Sequence, residues 1–497
     1  MLINVGIWME LNNFVKSIQD IMRNDAGVNG DAQRIEQMTW TLFLKIYDTQ
    51  EEEWEIYEDN YKSIIPEHLR WRNWAVDKKD GKAKTADDLL NFINQELFPT
   101  LKNLEISQDT PMGQKIVKDV FEDNNNYMKD GVLLRQVINI IDELNFDDYN
   151  DKHAFGEIYE KILKDLQSAG NAGEFYTPRA VTDFMALMLH PELNEKIADF
   201  ACGTGGFLTS VLNILDDKVS STDDRELYKN AVFGIEKKAL PYMLCATNML
   251  LHDLDNPNII HGNSFDRNVM DYTEDEKFNV VIMNPPYGGS EKKTVQDNFP
   301  KDLRSSETAD LFMSVIMYRL KENGRAAVIL PDGFLFGTDN IKVSIKKKLL
   351  NEFNLHTVIR LPGSVFAPYT GITTNILFFD KSSEGTKQTW FYRVDMPEGY
   401  KHFSKTKPMK LEHFDDCVSW WDDKQSIEID GFDKARLYTI DEIKDNNYNL
   451  DLCGFPHEEE IILPPNELIE NYQKERAELE AKIDKTLVEI KKLLDIE

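Results

Sequence analysis

Four apolar residues run straight into an amide, two prolines and an aromatic ring in VVIMNPPYGGS, residues 280 to 290. The apolar run reads as a buried β-strand, which puts Asn284, Pro285, Pro286 and Tyr287 at its carboxyl end. The Asn284 side-chain oxygen and a carbonyl of the stiff Pro285-Pro286 backbone can both accept hydrogen bonds from an –NH₂ group. Two acceptors hold both hydrogens of the amine and aim its lone pair away from them, so the amine becomes a poised nucleophile. Tyr287 supplies a flat face for a planar ring, and the prolines keep the acceptors from wandering. An ordinary Asn-Pro turn uses the same letters, but average composition yields this tetrapeptide by chance in roughly one chain of this length in a few hundred.

A second group of candidates precedes this one. DFACGTGGFL, residues 199 to 208, ends another apolar run; its glycines permit a tight strand-to-helix turn, and the helix start presents free N–H groups. The pattern is neither GxGxxG nor GxxxxGK, so a small ligand with a carboxylate remains open. The next run ends in GIEKK, placing Glu236 at a strand tip. A carboxylate there can accept two hydrogen bonds from ribose hydroxyls; the plainer reading is a surface carboxylate beside Lys237 and Lys238. In HGNSFD, Asn263, Ser264 or Asp266 can meet a purine edge.

These tips need a scaffold, and the chain between about 170 and 385 provides one. KIADFAC, AVFGIE, NIIHGNSF, FNVVIM, GRAAVILP, LHTVIRLP and TNILFF alternate with amphipathic or apolar helical stretches. Continuous apolar strands separated by helices predict a parallel sheet covered on both faces, a doubly wound α/β domain that binds ligands beyond its strand ends. Residues 10 to about 150 read as helical, with Phe14, Ile18, Ile21 and Met22, then Met38, Leu42, Phe43 and Ile46, at spacings of three and four. EEEWEIYEDNY within it reads as a solvated amphipathic face. A mixed segment near 385–445 contains one further strand, TWFYRVD. After Pro464-Pro465 comes a charged helix with Ile469, Tyr472, Leu479, Ile483, Ile490 and Leu493 near heptad spacing. The expected divisions are 1–150, 151–455 and 456–497, the last either packing within the chain or docking on a partner.

With 497 residues, 41% hydrophobic and 29% charged, the chain folds as more than one domain. No run approaches about 18 apolar residues, and MLINVGIWMEL has neither a basic leader nor a cleavage site, so no membrane association and a cytoplasmic location are expected. Cys202, Cys245, Cys417 and Cys453 lack metal or disulfide spacing. The net charge of −30 opposes non-specific DNA binding by the chain as a whole.

A glycine turn first and NPPY second resembles the amino-group, S-adenosylmethionine-dependent DNA methyltransferases. More closely, the sequence resembles the modification subunit of type I restriction-modification systems, because GEFYTPRAVTDFM (173 to 185) lies just before DFACGTGGFL and the likeness continues through GRAAVILPDGFLFG and LPGSVFAPYTGITTNILFF, roughly over 10–455. The resemblance implies a Rossmann-like methyltransferase domain with an N-terminal helical domain and a C-terminal helix. It implies a site-specific, adenine-N6 DNA methyltransferase acting on a flipped base. Its cofactor, S-adenosylmethionine, would be lined by Glu174, Phe175, Tyr176, Thr177, Pro178 and Arg179, by Gly203, Thr204 and Gly205, and by Glu236, with Asp199 nearby. Asn263 stands where many members carry Asp, and Phe366 matches the position that packs the base opposite Tyr287. The implied partners are double-stranded DNA, a specificity subunit joined by two modification subunits, and restriction subunits; no metal and no His or Cys catalyst is implied. A protein glutamine methyltransferase shares NPPY, and a catalytically silent assembly subunit is the non-enzymatic alternative.

Overall fold

The computed structural model describes residues 5–77, 83–144, 159, 176–367, 370–404 and 406–454, and, nearer the C-terminus, residues 469, 472–474, 476–477, 479–481, 483–484 and 486–487. The apolar runs identified in the sequence become strands of one sheet: β1 (Ile197–Asp199), β2 (Val232–Glu236), β3 (Asn258–His261), β4 (Phe278–Met283), β5 (Leu320–Pro331), β6 (Phe353–Arg360), β7 (Thr374–Lys381) and β8 (Gln388–Arg393). With β9 (Ile427–Ile429) and β10 (Phe432–Thr439), the order is β3-β2-β1-β4-β5-β7-β6-β8-β10-β9.

The five strands from β3 to β5 are parallel, and the strand order reverses between β1 and β4. Loops leaving two such neighbours diverge to opposite faces, which opens a crevice at their carboxyl ends. Alternation along β4 feeds two cores. Val280 and Ile282 pack with Phe184, Leu208 and Met249 from the helices Arg179–Leu189, Gly206–Asp216 and Ala239–Leu251. Val281 and Met283 pack with Leu311, Val315 and Leu349 from the helices Thr308–Arg319 and Asn340–Glu352.

In the sheet, two expectations require correction. The sheet is mixed rather than wholly parallel: β7 runs antiparallel to both β5 and β6. The segment 361–373 carries no helix among its described residues, and without a helical crossover the returning strand reverses direction. The segment near 385–445 holds three strands, not one, because Asp430 and Gly431, at φ +51° and +80°, make a two-residue turn that pairs β9 with β10.

The N-terminal region is helical, and its longest helix, Gly30–Tyr57, packs against Ala239–Leu251. EEEWEIYEDNY is only partly a solvated face. Glu51 is fully buried and accepts from the Tyr61 hydroxyl at 2.7 Å, and Trp54 donates to Asp255 of the sheet domain at 3.1 Å, whereas Ile56 and Tyr57 are exposed. Residues 455–497 form a compact unit of their own. Their described residues are helical, and Ile469, Tyr472, Leu479 and Ile483 are exposed; Ile490 and Leu493 lie outside the described residues. Among the described residues no helix is long and apolar enough to cross a membrane.

Candidate active site

Beyond Asp199 the chain turns through Gly203 and Gly205, at φ +55° and +84°, into the helix Gly206–Asp216. Such angles favour glycine, and a Cβ on Gly205 would stand 3.0 Å from the Cys245 sulfur. The turn is tied to β2. Cys202 donates its N–H to the Ile235 carbonyl at 3.0 Å, and the Glu236 carboxylate accepts from the Gly203 N–H at 2.9 Å and the Lys238 N–H at 2.7 Å. Burial raises the Glu236 pKa above the usual carboxylate range, against the opposing pull of these donors.

Asp199 is fully buried, and one of its oxygens accepts from the Ala201 N–H at 3.0 Å. The other has no hydrogen-bond partner, although the residue lines a cavity. Burial, augmented by the Glu236 charge, pushes its carboxyl up to about 8. A buried oxygen left without a partner invites a donor or a cation from a ligand.

At the end of β4, Asn284 meets two hydroxyls. Its Nδ2 donates to Thr177 Oγ1 at 3.0 Å, and the Tyr287 hydroxyl donates to its Oδ1. Burial raises the Tyr287 pKa, so the phenol stays protonated and able to donate. Pro285 is buried and Pro286 exposed, and the Pro286 carbonyl accepts from Thr308 Oγ1 at 2.8 Å. Thr308 N–H donates in turn to the Gly289 carbonyl at 3.1 Å, so the start of the helix Thr308–Arg319 staples the NPPY loop from below.

One cavity of about 630 Å³ joins the two ends, within the range of small-molecule sites. It brings together Tyr176, Thr177, Asp199, Gly203, Thr204, Glu236 and Asn263 with Asn284, Pro285, Pro286, Tyr287 and the 5% exposed Phe366. Asn263 Oδ1 accepts from the Phe265 N–H at 3.2 Å. Four described sequence candidates do not line it, among them Asp266, whereas Ser264 does. Gly205 underlies the turn, Pro178 starts a helix, and the Arg179 guanidinium points to the Gly206 carbonyl at 2.9 Å and to the Thr209 and Ser210 hydroxyls. Glu174 and Phe175 lie outside the described residues. The sequence reading missed Thr308 and Phe312, which also line the cavity from an ordinary helix pattern that only the fold carries there, and did not single out Phe207 and Ile372 within the stretches DFACGTGGFL and LPGSVFAPYTGITTNILFF.

The family model described as N-6 DNA Methylase matches residues 150–461, and the HsdM N-terminal domain matches residues 11–141. The type I restriction enzyme EcoEI methylase subunit of Escherichia coli is 49% identical over 95% of this chain and 96% of its own length. A modification subunit ascribed to a type I restriction enzyme of Vibrio vulnificus YJ016 superposes with a TM-score of 0.76 at 38% identity, covering 88% of this chain and 93% of that one. A chain from a type I R-M system, solved for its complex assembly and conformational transition, gives 0.79 at 32% identity over 98% of both chains. The chain belongs to the N-6 DNA methylase family, among the methylase subunits of type I restriction enzymes.

Replacing Glu236 with Gln turns one of its two acceptor oxygens into a donor that faces a backbone N–H. Glu236→Gln is expected to lose about 1–3 kcal/mol of stability, read as a lowered denaturation midpoint in the ligand-free protein. An unchanged midpoint would show that the turn does not depend on this carboxylate.

Proposed function

We propose that this methylase holds the N6 amine of a flipped-out adenine between Asn284 Oδ1 and the Pro285 carbonyl, with the base stacked on Tyr287 and packed from its other side by Phe366. The observation that carries the proposal is an acceptor-rich strand end opening on the same cavity as the glycine turn and Glu236. The Pro286 carbonyl is engaged by Thr308, which favours Pro285 as the second acceptor. An adenine inside a duplex cannot reach a recessed site, so it must be extruded. As positive charge develops on N6, the two acceptors take stronger hydrogen bonds from it, and they are fixed in place beforehand.

The chain's residues fit S-adenosylmethionine. The unpartnered oxygen of Asp199 suits a ligand ammonium, the remaining lone pairs of Glu236 suit ribose hydroxyls, and Asn263 suits an adenine edge. When bound, the cofactor supplies a methyl group already activated on a sulfonium. Orientation is therefore most of what the protein must add.

The proposed partners are double-stranded DNA, a specificity subunit that two copies of this chain join, and restriction subunits. The net charge of −30 repels a duplex, and the lysines of KVSIKKK are committed internally. Lys342 pairs with Glu307 and Asp310, Lys346 donates to the Leu335 and Gly337 carbonyls, Lys347 lies over the Tyr448 ring, and Lys348 pairs with Glu352. A partner must bring the DNA, and the exposed apolar positions of the C-terminal helix suit a partner's groove.

Three outcomes test this reading. Asn284→Ala should cut methyl transfer about a hundredfold or more while leaving cofactor affinity intact, and Tyr287→Phe should stay active where Tyr287→Ala does not. Residual activity near wild type in Asn284→Ala would remove the clamp. Asp199 must shed its proton to meet a cation, so cofactor affinity should climb as pH rises toward about 8 and level off above it. Calorimetry in buffers of different ionisation enthalpy should register the released proton, and Asp199→Asn should abolish both effects. Removing residues from about 466 onward should weaken complex formation and DNA methylation together without touching cofactor binding; efficient site-specific methylation by the purified chain alone would contradict partner dependence.

A further inference from the structure

We infer that Thr177 is a positioning residue for the amine clamp rather than a contact for the cofactor. The inference rests on the reading of Asn284 as the amine acceptor. The Asn284 amide is held at both ends, by Thr177 Oγ1 at Nδ2 and by the Tyr287 hydroxyl at Oδ1. The second of these bonds occupies the very acceptor that the amine must take. When a base enters and claims Oδ1, the tyrosine bond is given up, and Thr177 becomes the contact that keeps the amide from swinging about its side-chain torsion, which is broad and soft when nothing holds it. A half-turn would present the NH₂ end to another NH₂ group, donor against donor.

Thr177 is well placed for this task. Pro178 follows it and confines it to extended backbone, and Pro178 itself sits at φ −53° at the start of the helix Arg179–Leu189. Arg179 then pins that helix start to Gly206, Thr209 and Ser210 on the helix that follows the glycine turn. The hydroxyl is thus delivered on a braced segment to a side chain 107 residues away in sequence. A hydroxyl that only lined the cofactor pocket would have no reason to meet the substrate-side amide.

The test uses the full chain assembled with its specificity partner, with single-turnover transfer of tritiated methyl at saturating DNA and S-adenosylmethionine, and cofactor affinity from calorimetry. Thr177→Val keeps the shape and removes the acceptor. It should slow transfer about tenfold or more with cofactor affinity unchanged within about twofold, and Thr177→Ser should restore the rate. Thr177→Ala is read the same way should the valine fail to fold. A wild-type rate in Thr177→Val overturns the inference, and so does a parallel loss of rate and cofactor affinity, which would make Thr177 a cofactor contact. Asn284→Ala is measured alongside. An active Asn284→Ala brings down the clamp and this inference with it, whereas an inactive Asn284→Ala beside a normal Thr177→Val brings down this inference alone.

Discussion

Everything at the site depends on the parallel pairing of β1 between β2 and β4. Ile197 pairs with Val232 on one side and with Val280 on the other, and Glu236 pairs with His261 of β3. Ala198 pairs with Phe233 and Val281, so in this parallel register Glu236, His261 and Asn284 emerge at one level, two residues beyond Asp199, although 48 residues separate Glu236 from Asn284. The reversal of strand order between β1 and β4 then leaves that level uncovered. A one-residue slip of β4 would turn Val281 and Met283 into the wrong core, which is why the packing of both faces and the placing of Asn284 are one constraint.

The strand ends are held by fixed polar contacts. Glu236 accepts two backbone N–H groups, Thr308 fixes one loop carbonyl, and Thr177 and Tyr287 hold the amide. Two carboxylates, Asp199 and Glu236, share one buried turn, each with its pKa raised by burial. Left alone they repel each other and cost stability when ionised; a bound cation relieves both. On the proposed reading, the cationic end of S-adenosylmethionine would supply that relief, and the fixed turn would serve a reaction in which orientation carries most of the barrier reduction.

Much of this was legible in the sequence because strand ends announce themselves. Continuous apolar runs give the strands, and residues such as Glu236 and Asn284 stand out directly after them. Less visible was what tertiary contact alone decides. Thr308 lies in an unremarkable helix start, and its bond to Pro286 spans a loop that no local pattern predicts. Gly205 and Arg179 were read as ligand contacts, but the first serves the geometry of the turn and the second fastens two helices. The β9–β10 hairpin had a local signal in Asp430-Gly431 that polar flanking residues obscured, and the antiparallel entry of β7 goes with the lack of a crossover helix among the described residues of 361–373.

The most direct measurement of the central claim is a structure of the chain assembled with its specificity partner, target duplex and a non-transferable cofactor analogue such as sinefungin. A clamp requires the target adenine in the cavity, with its N6 about 2.7–3.2 Å from both Asn284 Oδ1 and the Pro285 carbonyl, and the Tyr287 ring parallel to the base. An extruded adenine whose N6 meets neither acceptor, or a cavity that the base does not enter, would contradict it.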